Sequence, residues 1–202
     1  MMETICHSAS RKWCQFSPSG GTAWRDVQAI AERIFRENPG QPLTVIGNCM
    51  SGGQALSLLG MPQVRTAVVC QPAAPSLAFT EYRRHSFGVP QARVEAALAA
   101  LKSDPRKRLI CIQYRDDKVA PLERVRWLSE RVIQQGSTDR HHVFVGVVNG
   151  TEKPGGAESM PGWITVEVKN PSGHSTVTGA QDWDRLNYRK ALFLSLGLRF
   201  PY

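Results

Sequence analysis

No apolar run in this 202-residue chain approaches the roughly 18 to 20 residues that a membrane-spanning helix needs, so no transmembrane segment is expected. The opening, MMETICHSASRKW, lacks the apolar stretch of about 7 to 15 residues that marks a secretory signal peptide, which makes a cytoplasmic protein the default expectation. There is no C-x-x-C pair. The five cysteines (Cys6, Cys14, Cys49, Cys70 and Cys111) are odd in number and scattered, which suits neither a disulfide framework nor a zinc knuckle, so free thiols are expected. No H-x-x-x-H or Cys/His cluster suggests a metal, and no cofactor is expected. Basic residues outnumber acidic ones, 25 to 17, but RKW (11–13), YRRH (82–85) and DPRKR (104–108) are short and lack interleaved aromatics. They read as solvated surface and not as a nucleic-acid module. Internal repeats, low-complexity tracts and linkers are also missing.

What is present suits one domain over residues 1–202: the chain is 42% hydrophobic and 21% charged, enough apolar material for a buried core. Thr22 to Asn38 sets Trp24, Val27, Ile30, Ala31, Ile34 and Phe35 at helical spacing and ends at Asn38-Pro39-Gly40. Short apolar runs bounded by turn residues, at Leu43–Gly47, Thr66–Cys70 and Leu109–Tyr114, read as buried strands, and His142–Val148 and Ile164–Val168 continue the type. Helical patterns fall at Gly52–Leu59, Pro90–Leu101, Leu122–Gln134 and about Asp184–Leu196. Asn149–Gly162 is rich in Gly, Pro and polar residues and reads as a surface loop. Strands alternating with helices predict an α/β fold, a mostly parallel sheet flanked by helices on both faces, with chemistry just beyond the carboxyl ends of the strands.

The most specific local feature is LTVIGNCMSGGQALSLL, an apolar strand running through Gly47-Asn48-Cys49-Met50-Ser51-Gly52-Gly53 into a helix. This is a nucleophile-elbow pattern with cysteine in the usual serine place. Gly47, Ser51 and Gly52 supply the small neighbours that such a sharp turn demands. A thiol at a helix N-terminus is expected to be more acidic than a free one, and the Met50 N–H can donate to a developing oxyanion. The plain alternative, a small core hydrophobe, is the reading for Cys70 and Cys111.

A thiol nucleophile wants a base, and in this fold class the partners follow in the order nucleophile, acid, histidine. After LICIQY come Asp116 and Asp117, with Pro121 opening the next helix, and either carboxylate can instead cap that helix. His174, in Asn170-Pro171-Ser172-Gly173-His174-Ser175, lies on a loop after the last strand, where the imidazole is expected. His141 and His142 are adjacent on a strand and point to opposite faces, and His7 and His85 lack such context.

GNCMSGGQAL resembles the G-x-C-x-G-G elbow of the dienelactone hydrolase family, a cysteine branch of the α/β-hydrolases, and Cys70-Gln71-Pro72 continues the likeness, which covers Trp24 to about Thr178. The resemblance implies an eight-stranded α/β sheet and hydrolysis of an ester or lactone through an acyl-enzyme. It implies a triad of Cys49, Asp117 (four residues before Pro121) and His174, with Asp116 as the reserve acid. In the family, further strands and a helix precede the segment matching residues 1–40 and carry the second oxyanion donor. The domain is therefore expected to lack these N-terminal strands and to turn over esters weakly. Family members that cleave dienelactone hold the substrate carboxylate with arginines. Here Thr178 stands in the place of one, so dienelactone is not the expected substrate, while Arg11 falls near the place of the other and is the candidate substrate-binding residue.

The leading expectation is thus a hydrolase acting on a small ester or lactone, with no nucleic-acid or membrane partner. The competing one is a non-catalytic protein of the same fold that binds a partner, because an open sheet edge calls for a second copy or another subunit to cover it. A thiol redox protein ranks last for want of a resolving cysteine in sequence.

Overall fold

The computed structural model describes residues 22–73, 84–114, 117, 119–134, 142–149 and 163–168. The first described helix, α1 (Ala23–Glu37), lies within the stretch predicted from Thr22 to Asn38. Asp26 in its first turn and Arg36 in its last complement the helix dipole. The Asn38 N–H caps it by bonding the carbonyls of Ile34 and Phe35, and Gly40, at φ 80°, makes the left-handed turn that leads out.

Then come β1 (Leu43–Asn48), a 3₁₀ turn (Cys49–Ser51), α2 (Gly52–Leu58), β2 (Val64–Cys70), α3 (Gln91–Ser103), β3 (Arg108–Tyr114), α4 (Leu122–Gln134), β4 (His142–Asn149) and β5 (Trp163–Val168). All five strands are parallel and lie in the order β1-β2-β3-β4-β5, so each strand pairs with the one before it in sequence. The expected mixed α/β class with a parallel sheet is what the chain forms. The expected loop begins one residue late, since Asn149 closes β4; the rest of that loop and the helix expected at Asp184–Leu196 lie outside the described residues.

Successive right-handed crossovers that advance in one direction deposit their helices on one face of a sheet. The core agrees. Val45, Ala67, Val69, Leu109 and Cys111, alternate residues of β1, β2 and β3, pack with Ala31 of α1, Leu56 and Leu58 of α2, Val94, Ala97 and Leu98 of α3, and Val125, Leu128 and Val132 of α4. The four described helices therefore share one face. On the opposite face Val68, Cys70, Ile110, Ile112 and Tyr114 are buried as well. Among the described residues no helix is long and apolar enough to cross a membrane.

Candidate active site

At the carboxyl end of β1 the chain reverses from strand to helix within a single 3₁₀ turn, and Cys49 takes a left-handed backbone, φ 57°. A residue with a β-carbon resists that conformation by about 1 to 2 kcal/mol, so the surrounding bonds must hold it there. Ser51 is one such holder: its hydroxyl accepts the Asn48 N–H at 2.9 Å and donates to the Asn48 carbonyl at 2.8 Å. Gly47 is another requirement. A β-carbon on it would sit 2.1 Å from the Ser51 carbonyl oxygen and 2.7 Å from Ala55 Cβ. Gly53, in the first turn of α2, is tighter still, because its β-carbon would meet the Phe87 carbonyl oxygen at 1.7 Å. Gly47 is thus a steric requirement of the turn, as the elbow pattern demands, whereas Gly53 is required by the packing of α2 on Phe87.

The same end of the sheet carries a second residue of this kind. Gln71, one position beyond β2, has φ 40°, and because Asn48 pairs with Cys70 the two strained residues lie side by side. The Ala73 N–H donates to the Cys49 carbonyl at 3.2 Å, and the Gln71 N–H donates to the Ile112 carbonyl at 2.9 Å, fastening this turn to both neighbouring strands.

Asp117, just past β3, is buried. Its Oδ1 accepts the N–H groups of Val119 at 2.8 Å and Ala120 at 2.9 Å. These two N–H groups lie ahead of α4 (Leu122–Gln134), so the carboxylate fixes the loop before Pro121 and does not cap the helix. It also acts on Cys49. Burial pushes the Cys49 thiol above its usual range, the Met50 N–H pulls it back, and the negative charge of Asp117 pushes it up again. The thiol expected to be more acidic than a free one is thus less so: the Met50 N–H offsets only part of the desolvation. The Met50 N–H is directed at the sulfur, the place from which an oxyanion donor acts.

Cys49, Met50 and Asp117 are accordingly brought together at one end of the sheet, whereas His174, Asp116 and Arg11 lie outside the described residues. Cys70 and Cys111 are buried strand residues, as expected for core thiols. Two residues went unnoticed in the sequence. Gln71 precedes a proline, a context that favours extended backbone and gives no hint of a left-handed residue. Arg124 is fully buried, and its Nη1 donates to the Pro72 carbonyl. The signal for Arg124 was there, since it stands one helical turn before Leu128 on the apolar stripe of α4.

Fold and site together define an α/β protein with a parallel sheet that presents a strained cysteine beside a buried carboxylate. No family model matches the chain, and no curated protein matches it.

Proposed function

We propose that the protein is a hydrolase of carboxylic esters or lactones that works through a cysteine acyl-enzyme in an α/β-hydrolase-like domain. The observation that carries this reading is Cys49, held at φ 57° on a strand-to-helix turn with the Asp117 carboxylate acting on its sulfur. In this scheme the Cys49 sulfur attacks the carbonyl carbon and the carbonyl electron pair moves onto oxygen, where the Met50 N–H meets it. His174, assigned from the sequence alone, takes the thiol proton and returns it to the leaving alkoxide as the C–O bond breaks. Water then attacks the thioester, His174 takes its proton, and the carboxylic acid leaves as the proton returns to the Cys49 sulfur. Asp117 orients His174 and offsets the charge of its imidazolium. Arg11 is carried as the substrate-binding residue on the resemblance alone.

Asp117→Asn tests the scheme. The amide keeps an oxygen for the Val119 and Ala120 N–H groups, so the loop should hold, while the melting temperature falls because the buried Arg124 loses part of its counter-charge. Turnover of p-nitrophenyl acetate should fall by roughly 10² to 10⁴, since an amide holds the wrong imidazole tautomer. Asp116→Asn should cost far less. Full turnover in Asp117→Asn would remove Asp117 from the mechanism.

One observation favours the second reading, a partner-binding surface. Ile30, Ile34 and Ile46 are 59%, 43% and 56% exposed. They wall a cavity of about 230 Å³ between α1, β1 and α2, alongside the strand at the end of the sheet order. Exposed apolar surface along a strand edge is a pairing site. The occupant we propose is a second copy. Asp26 lies one turn before Ile30 and Arg33 one turn after it, so a twofold axis that sets Ile30 against its copy brings opposite charges together. Sedimentation velocity should show a dimer at micromolar concentration that Ile46→Lys splits. A wild type that remains monomeric at about 100 μM would refute the pairing.

A further inference from the structure

Arg124 is the largest side chain with no exposure at all among the described residues. Burying a guanidinium is expensive unless hydrogen bonds and an opposite charge answer it, and an apolar side chain of similar volume is often no worse for stability. An arginine here therefore calls for a reason beyond packing. Its Nη1 donates to the Pro72 carbonyl, in the turn that the Ala73 N–H fastens to the Cys49 carbonyl. The charge of Asp117, with that of Glu123, partly offsets the burial that brings Arg124 down to about 10, still a cation at neutral pH. One residue of α4 thus bonds the strained turn after β2 and shares an electrostatic interaction with the acid loop after β3.

We propose that Arg124 is a positioning residue of the Cys49 site: its guanidinium clamps the Gln71–Ala73 turn against the nucleophile and supplies the counter-charge to the Asp117 carboxylate. The inference rests on Cys49 being the nucleophile, and it adds a control element to that site. Arginine suits the task because its rigid planar fork aims an N–H at the Pro72 carbonyl while its charge persists on burial, which a lysine ammonium on a flexible stem does less well. Without the cation, Asp117 bears undiminished on the sulfur and thiolate becomes harder to form. Among the described residues, the charged group that acts on Cys49 is Asp117, and those that act on Arg124 are Asp117 and Glu123.

The experiment follows iodoacetamide alkylation at Cys49 by peptide mapping from pH 6 to pH 11 in the full-length chain, with p-nitrophenyl acetate turnover beside it. Arg124→Met should raise the alkylation midpoint by about one pH unit, which is about tenfold less thiolate at any pH below it. Arg124→Lys keeps the charge and should keep the wild-type midpoint, but it should lose about tenfold in turnover because the clamp on Pro72 is gone. Asp117→Asn should lower the midpoint and abolish the effect of adding Arg124→Met. A purely structural arginine would lower the melting temperature of Arg124→Met and leave its midpoint at the wild-type value, and that result overturns the proposal. If Arg124→Met does not fold, Arg124→Lys decides, since full turnover in that variant overturns the clamp. Alkylation requires no ester, so a wild type with no esterase activity sinks the hydrolase reading while the midpoints still decide the role of Arg124.

Discussion

Replacing Cys49 with alanine is expected to lower p-nitrophenyl acetate turnover on the order of 10⁴-fold, to the rate supplied by binding and the Met50 N–H alone. Serine should do little better, because a hydroxyl near its free pKa is a poor nucleophile in a site shaped around sulfur. The pH dependence carries more information than the loss. Burial and Asp117 push the thiol above its usual range, so a sulfur without a base would give a rate that climbs about tenfold per pH unit throughout the neutral range. A base that takes the proton during attack flattens that climb. Wild type should therefore level off near neutral pH, and His174→Ala should restore the steep rise. Retained turnover in Cys49→Ala would end the case for this cysteine.

The second large effect is on stability. Gly53→Ala should destabilise the protein by about 3 kcal/mol or more, because the added methyl would lie 1.7 Å from the Phe87 carbonyl oxygen and 2.8 Å from its carbon, both of them backbone atoms. Neither side can yield cheaply: Gly53 is in the first turn of α2, and Phe87 is packed in the core. For a chain of this size that corresponds to a fall of roughly 6 to 12 °C in melting temperature. Gly40→Ala is the control. Nothing lies within 4 Å of its β-carbon, so only the left-handed φ of 80° opposes it, at about 1 to 2 kcal/mol. If differential scanning calorimetry finds the two variants equal, the close approach of α2 to Phe87 is not what requires glycine at position 53.

These two sites also show what could be read from the residues alone. The strands stood out because a parallel sheet buried on both faces needs unbroken apolar runs, and Leu109–Tyr114 and His142–Val148 each fall one residue short of the strand that forms. The start of β2 at Val64 escaped notice because Arg65 follows it. That charge turns aside to Asp104 at 2.8 Å, a partner far along the chain that no local pattern reveals. The elbow was legible because a sharp turn restricts which residues can stand at positions 47, 51 and 52. Asp116 and Asp117 could not be separated, since adjacent residues share the same local chemistry. The acidity of Cys49 was misjudged for a related reason: desolvation is a property of the assembled core, and sequence spacing carries only the helix-end contribution. Arg124 escaped because its partners Pro72 and Asp117 belong to two different loops.

The serial order of the sheet has a consequence for how the protein is made. Each strand docks beside the one synthesised just before it, so a ribosome can release the sheet in the order in which it is built. The turn at Cys49 closes as soon as β2 emerges, whereas Asp117 and Arg124 arrive only with β3 and α4. The nascent chain therefore carries the turn at Cys49 before Asp117 and Arg124 are in place. On the proposed scheme competence is conferred late, and a chain truncated before α4 would display the Cys49 thiol without the residues assigned to govern it.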